Sequence, residues 1–139
     1  MSFVTTTVKD TVVSDGANGG LVTVKAIFDN DTADNLILNG DALSGFANGA
    51  KLHLTRAWWA LTQGTAAANT GDLIVKFIGA SANVVALQLA GTGHYDGTAG
   101  KILGSATNTT VTSSDINGQT RGTSGYCILE FRKGSGYTA

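Results

Sequence analysis

The chain of 139 residues contains no proline and a single glutamate, Glu130. Proline commonly guards exposed sheet edges, so that task falls here to charges, bulges or a partner chain. Charged residues make up 14% of the sequence, against about 25% in ordinary globular domains. With Glu, Lys and Arg scarce, long surface helices lack their usual residues. The one cysteine, Cys127, excludes an internal disulfide, and its place in the apolar run YCILEF reads as a buried, inert thiol.

Other absences bear on function. No apolar stretch approaches the roughly 18 residues that span a bilayer, and the opening MSFVTTTVKD has neither the basic start nor the apolar block of a signal peptide. The expectation is a soluble chain made in the cytoplasm, with no membrane partner. Net charge is −1, and no basic run exceeds Arg132-Lys133, so nucleic acid is not an expected partner. Catalytic chemistry has few candidates: two histidines, His53 and His94, one cysteine, one glutamate, and aspartates that sit mostly in turn-like segments. None is spaced to suggest a triad.

What the chain does contain is Gly, Thr, Asn, Ala and Val in short alternating runs, the composition of strands and turns. Period two marks Phe3–Val8, Leu21–Phe28, Asn35–Leu38, Lys51–Leu61, Leu73–Ile78, Val84–Leu89, Thr109–Thr112 and Tyr126–Arg132. About eight strands predict an all-β fold, a single jelly-roll-like β-sandwich over residues 1–139 with residues 1–20 as a candidate N-terminal arm. Asn18-Gly19, Asn39-Gly40, Asn48-Gly49 and Asn117-Gly118 read as turns. The one helix candidate is a single turn at Asp41–Phe46.

Three motifs carry weaker signals. Gly91 to Gly97 (GTGHYDG) has the spacing G-x-G-x-x-x-G without a following helix, so it reads as a loop rather than a nucleotide cradle. Asp29, Asp31 and Asp34 begin like a calcium loop, but Ala33, Asp34 and Gly40 stand where an EF-hand wants a ligand, a glycine and a glutamate. A looser sandwich calcium site stays open beside an ordinary acidic turn, and no cofactor or metal is expected. Asn30-Asp31-Thr32 and Asn108-Thr109-Thr110 match the glycosylation sequon, which carries little weight without a secretory signal.

The stretch KLHLTRAWWALTQG holds adjacent tryptophans, and successive strand residues point to opposite faces. The inward set is Leu52, Leu54, Trp58 and Ala60, which turns Trp59 outward. Arg56 is the misfit and marks a candidate bulge, and a bulge there would exchange the two tryptophans. The outward ring has three destinations: a lone exposed position, a carbohydrate site, or another polypeptide. Few aromatics and no visible polar rim argue against sugar, whereas the weakly charged surface favours burial against another chain.

RAWWALT, DLIVKFIG, VVALQLAGTGHYDG and the closing SGYCILEFRKGSGYTA together resemble small Gly/Thr-rich virion structural proteins of tailed bacteriophages, notably those infecting cyanobacteria and other aquatic bacteria. The resemblance covers Lys51 to the C-terminus. It implies a non-enzymatic decoration or cement protein on the outer capsid surface, often trimeric, that bridges neighbouring major capsid proteins. Some related chains are head or tail appendages, for which host-surface carbohydrate is the alternative ligand. The expected partner contacts are Trp59, Tyr95, Arg132 and Tyr137, with Phe3 in an arm, Ser2–Lys9, that adds a strand to a neighbour.

Overall fold

The computed structural model describes residues 8–15, 20–31, 34–40, 43, 45, 51–63, 71–78, 83–97, 116–134 and 137. They form nine strands: β1 (Val8–Asp15), β2 (Leu21–Asp31), β3 (Asp34–Leu38), β4 (Leu52–Gln63), β5 (Leu73–Phe77), β6 (Val84–Leu89), β7 (Thr92–Tyr95), β8 (Ile116–Thr120) and β9 (Thr123–Lys133). One sheet has the order β1-β2-β9-β4-β7 and the other β3-β8-β5-β6. All pairings are antiparallel.

The pairing is nested. Strand β2 pairs with β9, β3 with β8, β4 with β7 and β5 with β6. The chain is thus a long hairpin ribbon rolled on itself, closed where β4 meets β9 and β5 meets β8. That is a jelly roll, an all-β sandwich, with β1 added beside β2.

Alternation explains which residues fill the space between the sheets. Val22, Val24, Ala26 and Phe28 of β2 and Cys127, Leu129 and Phe131 of β9 point inward, as do Leu73, Val75 and Phe77 of β5. Each large apolar side chain buried this way contributes about 1.5–3 kcal/mol. A polar clamp fastens one end. Arg121 donates from Nε to Asp72 Oδ1 at 3.0 Å and from Nη2 to Oδ2 at 2.6 Å, while Gln88 donates to Oδ2 at 2.7 Å. Thr123 donates from its hydroxyl to the Asp72 carbonyl at 2.6 Å, so the clamp joins β9 to the segment entering β5.

Several expectations need correction. Asn117-Gly118 is no turn but lies within β8, and Gly118 faces the core. A Cβ there would collide with Ile37 Cδ1 and lie 3.0 Å from Leu73 Cδ1, so glycine is required by close packing. The GTGHYDG segment is not wholly loop, because Thr92–Tyr95 pairs with β4. Of the expected Phe3–Val8 strand only Val8 is described, and it belongs to β1, which continues to Asp15. The Phe3–Thr7, Thr109–Thr112, Asn18-Gly19 and Asn48-Gly49 readings lie outside the described residues. Of Asp41–Phe46 only Leu43 and Gly45 are described, in a bend and a turn.

Candidate functional site

The tryptophan strand carries its bulge. Against β9, Leu54 is opposite Phe131 and Arg56 opposite Glu130, so Thr55 is the extra residue. Thr55 Oγ1 lies 3.0 Å from the Glu130 carbonyl and 2.9 Å from its carboxylate, which holds the bulge in place. Leu52 and Leu54 are buried before it, Ala57 and Leu61 after it. The phase therefore flips, as the bulge alternative required, and Trp58, not Trp59, faces outward with 37% exposure.

This corrects the expected contact set. Trp59 packs against the core; its indole N–H donates to the Ala90 carbonyl at 3.0 Å, and its ring crosses so close to Gly93 that a Cβ there would lie 2.8 Å from Cζ2. Tyr137 is 6% exposed, and its hydroxyl donates to the Gly40 carbonyl at 2.9 Å. The Lys133 ammonium sits 5.5 Å from that ring's centroid. Tyr137 is thus a core residue. Tyr95 is half-buried against the same core. Arg132 remains on an open face, opposite Leu21 and His53. Phe3 lies outside the described residues.

The bulge and the alternation of β9 together build an outward face that single strands do not reveal. Across the five-stranded sheet one row runs Lys25, Ile128, Trp58, His94, and the next Ile27, Tyr126, Ala60, Thr92. Tyr126 is 40% exposed. Beside it lies an open groove of about 620 Å³ lined by Lys25, Ile27, Phe28, Asp29, Gly125, Tyr126 and Ile128. Beyond the bulge the face becomes ionic: Arg56 Nε stands 3.8 Å from Glu130 Oε1, but with Arg56 55% exposed the pair adds little stability.

The outward rows of the four-stranded sheet are different in kind. They run Asp34, Gln119, Ile74, Gln88 and Leu36, Asn117, Lys76, Val85. Asp34 accepts from Lys76 Nζ at 3.1 Å and Asn117 Nδ2 at 3.2 Å, which occupies the carboxylate that a calcium site would have used. Among the described residues no three His, Cys, Asp or Glu side chains gather where they could hold a metal ion.

Burial pushes the Cys127 thiol up from an ordinary 9.0 to about 12, only partly offset by a backbone hydrogen bond involving Ala26. A thiol so placed is no nucleophile. No helix among the described residues is long and apolar enough to cross a membrane. No protein-family model matches the chain, nor does any curated protein or solved structure.

Proposed function

We propose that the chain is a structural protein of a phage virion, a decoration protein that binds the outer shell and bridges major capsid proteins. The resemblance of the segment from Lys51 onward supports this, and one structural observation carries it. Strands β1, β7, β3 and β6 end the two sheets. The sequence of β1 includes Lys9, Asp10 and Asp15, and the strand has a bulge; β7 has four residues; β3 has five, with Asp34 and a bulge. Charges, bulges and shortness are the devices that keep edges from pairing.

Strand β6, VVALQL, has no charge and no proline, and carries a bulge at Ala86. Val84 and Val85 are 41% and 57% exposed. An apolar edge of this kind is suited to cover, or pair with, another polypeptide. Binding only the assembled shell would stabilise it by mass action, about 2.7 kcal/mol per site at a hundredfold excess over Kd. Contacts to two capsid subunits at once would make the second intramolecular.

The test is the copy number of the chain in purified particles, by quantitative mass spectrometry against the major capsid protein, for the native chain and for Val85→Lys. Copies comparable to the capsid subunits, cut at least tenfold by Val85→Lys, are expected. Complete absence from particles refutes the reading. A second reading, a head or tail appendage that binds host-surface carbohydrate, is favoured by the outward pair Trp58 and Tyr126, and predicts only a few copies per particle.

A further inference from the structure

We propose that the outward face of the five-stranded sheet is a saccharide site, with a neutral sugar ring seated on Ala60 between Trp58 and Tyr126. The inference deepens the carbohydrate reading above and is independent of the β6 edge. It begins with register. Trp58 is opposite Ile128 and Ala60 opposite Tyr126, so the two exposed rings are diagonal cross-strand neighbours. Diagonal partners lie about 7–8 Å apart, and of the two positions that complete the square one carries only the Ala60 methyl and the other the half-buried Ile128. Two large flat apolar surfaces therefore flank a low floor.

The surroundings of that floor are polar and small. Thr92 stands opposite Ala60 on β7, His94 opposite Trp58, and Ser124 lies two residues before Tyr126 on the same face of β9. Thr92 and His94 are exposed, so a hydroxyl and an imidazole edge the floor. On the far side of Tyr126 the groove continues the site toward β2, where Lys25 and Asp29 supply one charge of each sign.

This mixture selects the ligand class. A sugar offers apolar C–H faces to rings and hydroxyls to short polar side chains, and a neutral one meets no net charge. A nucleic acid would need a basic track, and the chain's net charge is −1. A lipid or apolar ligand would leave the hydroxyl and imidazole groups unpaired. Among the described residues the other sheet's outward rows hold no aromatic side chain, so the aromatic pair belongs to one side of the sandwich.

The experiment is a glycan array carrying neutral, sialylated and sulfated oligosaccharides, followed by calorimetric titration of the best-bound glycan, which reads binding in variants without Trp58 as well, with tryptophan fluorescence of the native chain beside it. Trp59, packed on Gly93, supplies a constant background, and Trp58→Phe isolates the responding ring. We expect saturable binding to a neutral glycan, weakened at least about tenfold by Trp58→Ala and by Tyr126→Ala, because aromatic rings dominate such contacts. Trp58 and Tyr126 are 37% and 40% exposed, so the Ala variants lose some stability but should stay folded under the titration conditions, which far-UV circular dichroism checks.

Ala60→Met, which raises the floor and keeps both rings, should also weaken binding at least about tenfold by occupying the position between them. Val85→Lys should bind the glycan as the native chain does, which separates this site from the shell contact. Four results overturn the proposal: no glycan bound; only sulfated or sialylated glycans bound; binding indifferent to Trp58→Ala; or self-association of the free chain that Trp58→Ala abolishes without any glycan response.

Discussion

Gly125→Ala is the substitution for which the structure gives the most definite energy. Gly125 lies in β9 opposite Leu61 and Phe28 with φ at +121°, a conformation that residues with a Cβ avoid. A Cβ built there would collide with the Ala60 carbonyl oxygen and sit 3.0 Å from its carbon. That oxygen belongs to the backbone of β4, held against β9, and cannot retreat as a side-chain tip could. Backbone strain of about 1–3 kcal/mol adds to an overpacking cost of about 1–3 kcal/mol. The reduced freedom of the unfolded chain returns about 0.4–1 kcal/mol.

The net expectation is a loss of about 3 kcal/mol, a large part of the roughly 5–15 kcal/mol that holds a domain together. Gly91→Ala is the matched control. Gly91 also has positive φ, +63°, but nothing lies within 4 Å of its would-be Cβ. It should cost about 1 kcal/mol from the left-handed conformation alone. Thermal unfolding followed by far-UV circular dichroism reads both, with melting points falling by about 4 °C for Gly91→Ala and about 12 °C for Gly125→Ala. Equal losses at the two sites would refute the reasoning, since both the clash and the less accessible φ of Gly125 set it apart from Gly91.

Tyr137→Phe removes the 2.9 Å donor to the Gly40 carbonyl, which still accepts from the Leu43 N–H at 3.3 Å, and should cost about 0.5–1.5 kcal/mol in the same unfolding assay. Asp72→Ala removes the acceptor of three side-chain hydrogen bonds; because Arg121 is 45% exposed and can turn to water, the loss should be about 1–2 kcal/mol. The Cys127 thiol, raised from 9.0 to about 12, ionises in the unfolded chain first. Folding stability is therefore unaffected by this group below pH 9 and falls at up to about 1.4 kcal/mol per pH unit toward pH 12, a slope that Cys127→Ala should remove. Ellman's reagent should likewise label Cys127 only when denaturant opens the core.

Strands β2 and β9 were readable from sequence because each keeps one apolar and one polar face over most of its length. Strands β7 and β8, TGHY and INGQT, have no such pattern. They are extended because β4 offers Ala57–Ala60 to the first, and because β3 and β5 enclose the second, so tertiary pairing overrides weak propensity. The Arg56 misfit correctly marked a bulge. Which tryptophan turned outward was settled across the sheet, by Glu130 on β9 opposite Arg56. Tyr126 was visible as part of β9's outer face, but its nearness to Trp58 depends on register between distant strands. The burial of Tyr137 was not readable at all, since its partner Gly40 is 97 residues away.

The nested ribbon also governs the order in which this molecule can come into being. Strand β9 is the last described strand, yet it is the central member of its sheet, with β2 on one side and β4 on the other. A nascent chain that has not yet released Thr123–Lys133 therefore cannot join those two strands. Until then Val22, Val24, Leu52 and Leu54 have no sheet in which to meet, while the pairings that do not involve β9, namely β1 with β2, β5 with β6, β4 with β7 and β8 with β3 and β5, can form without it. The closure of the five-stranded sheet is deferred to one late event, a topology that folds slowly. The sheet thus stays open until β9 emerges, and a ribosome stalled before residue 123 would hold two separate edges that the finished protein never shows.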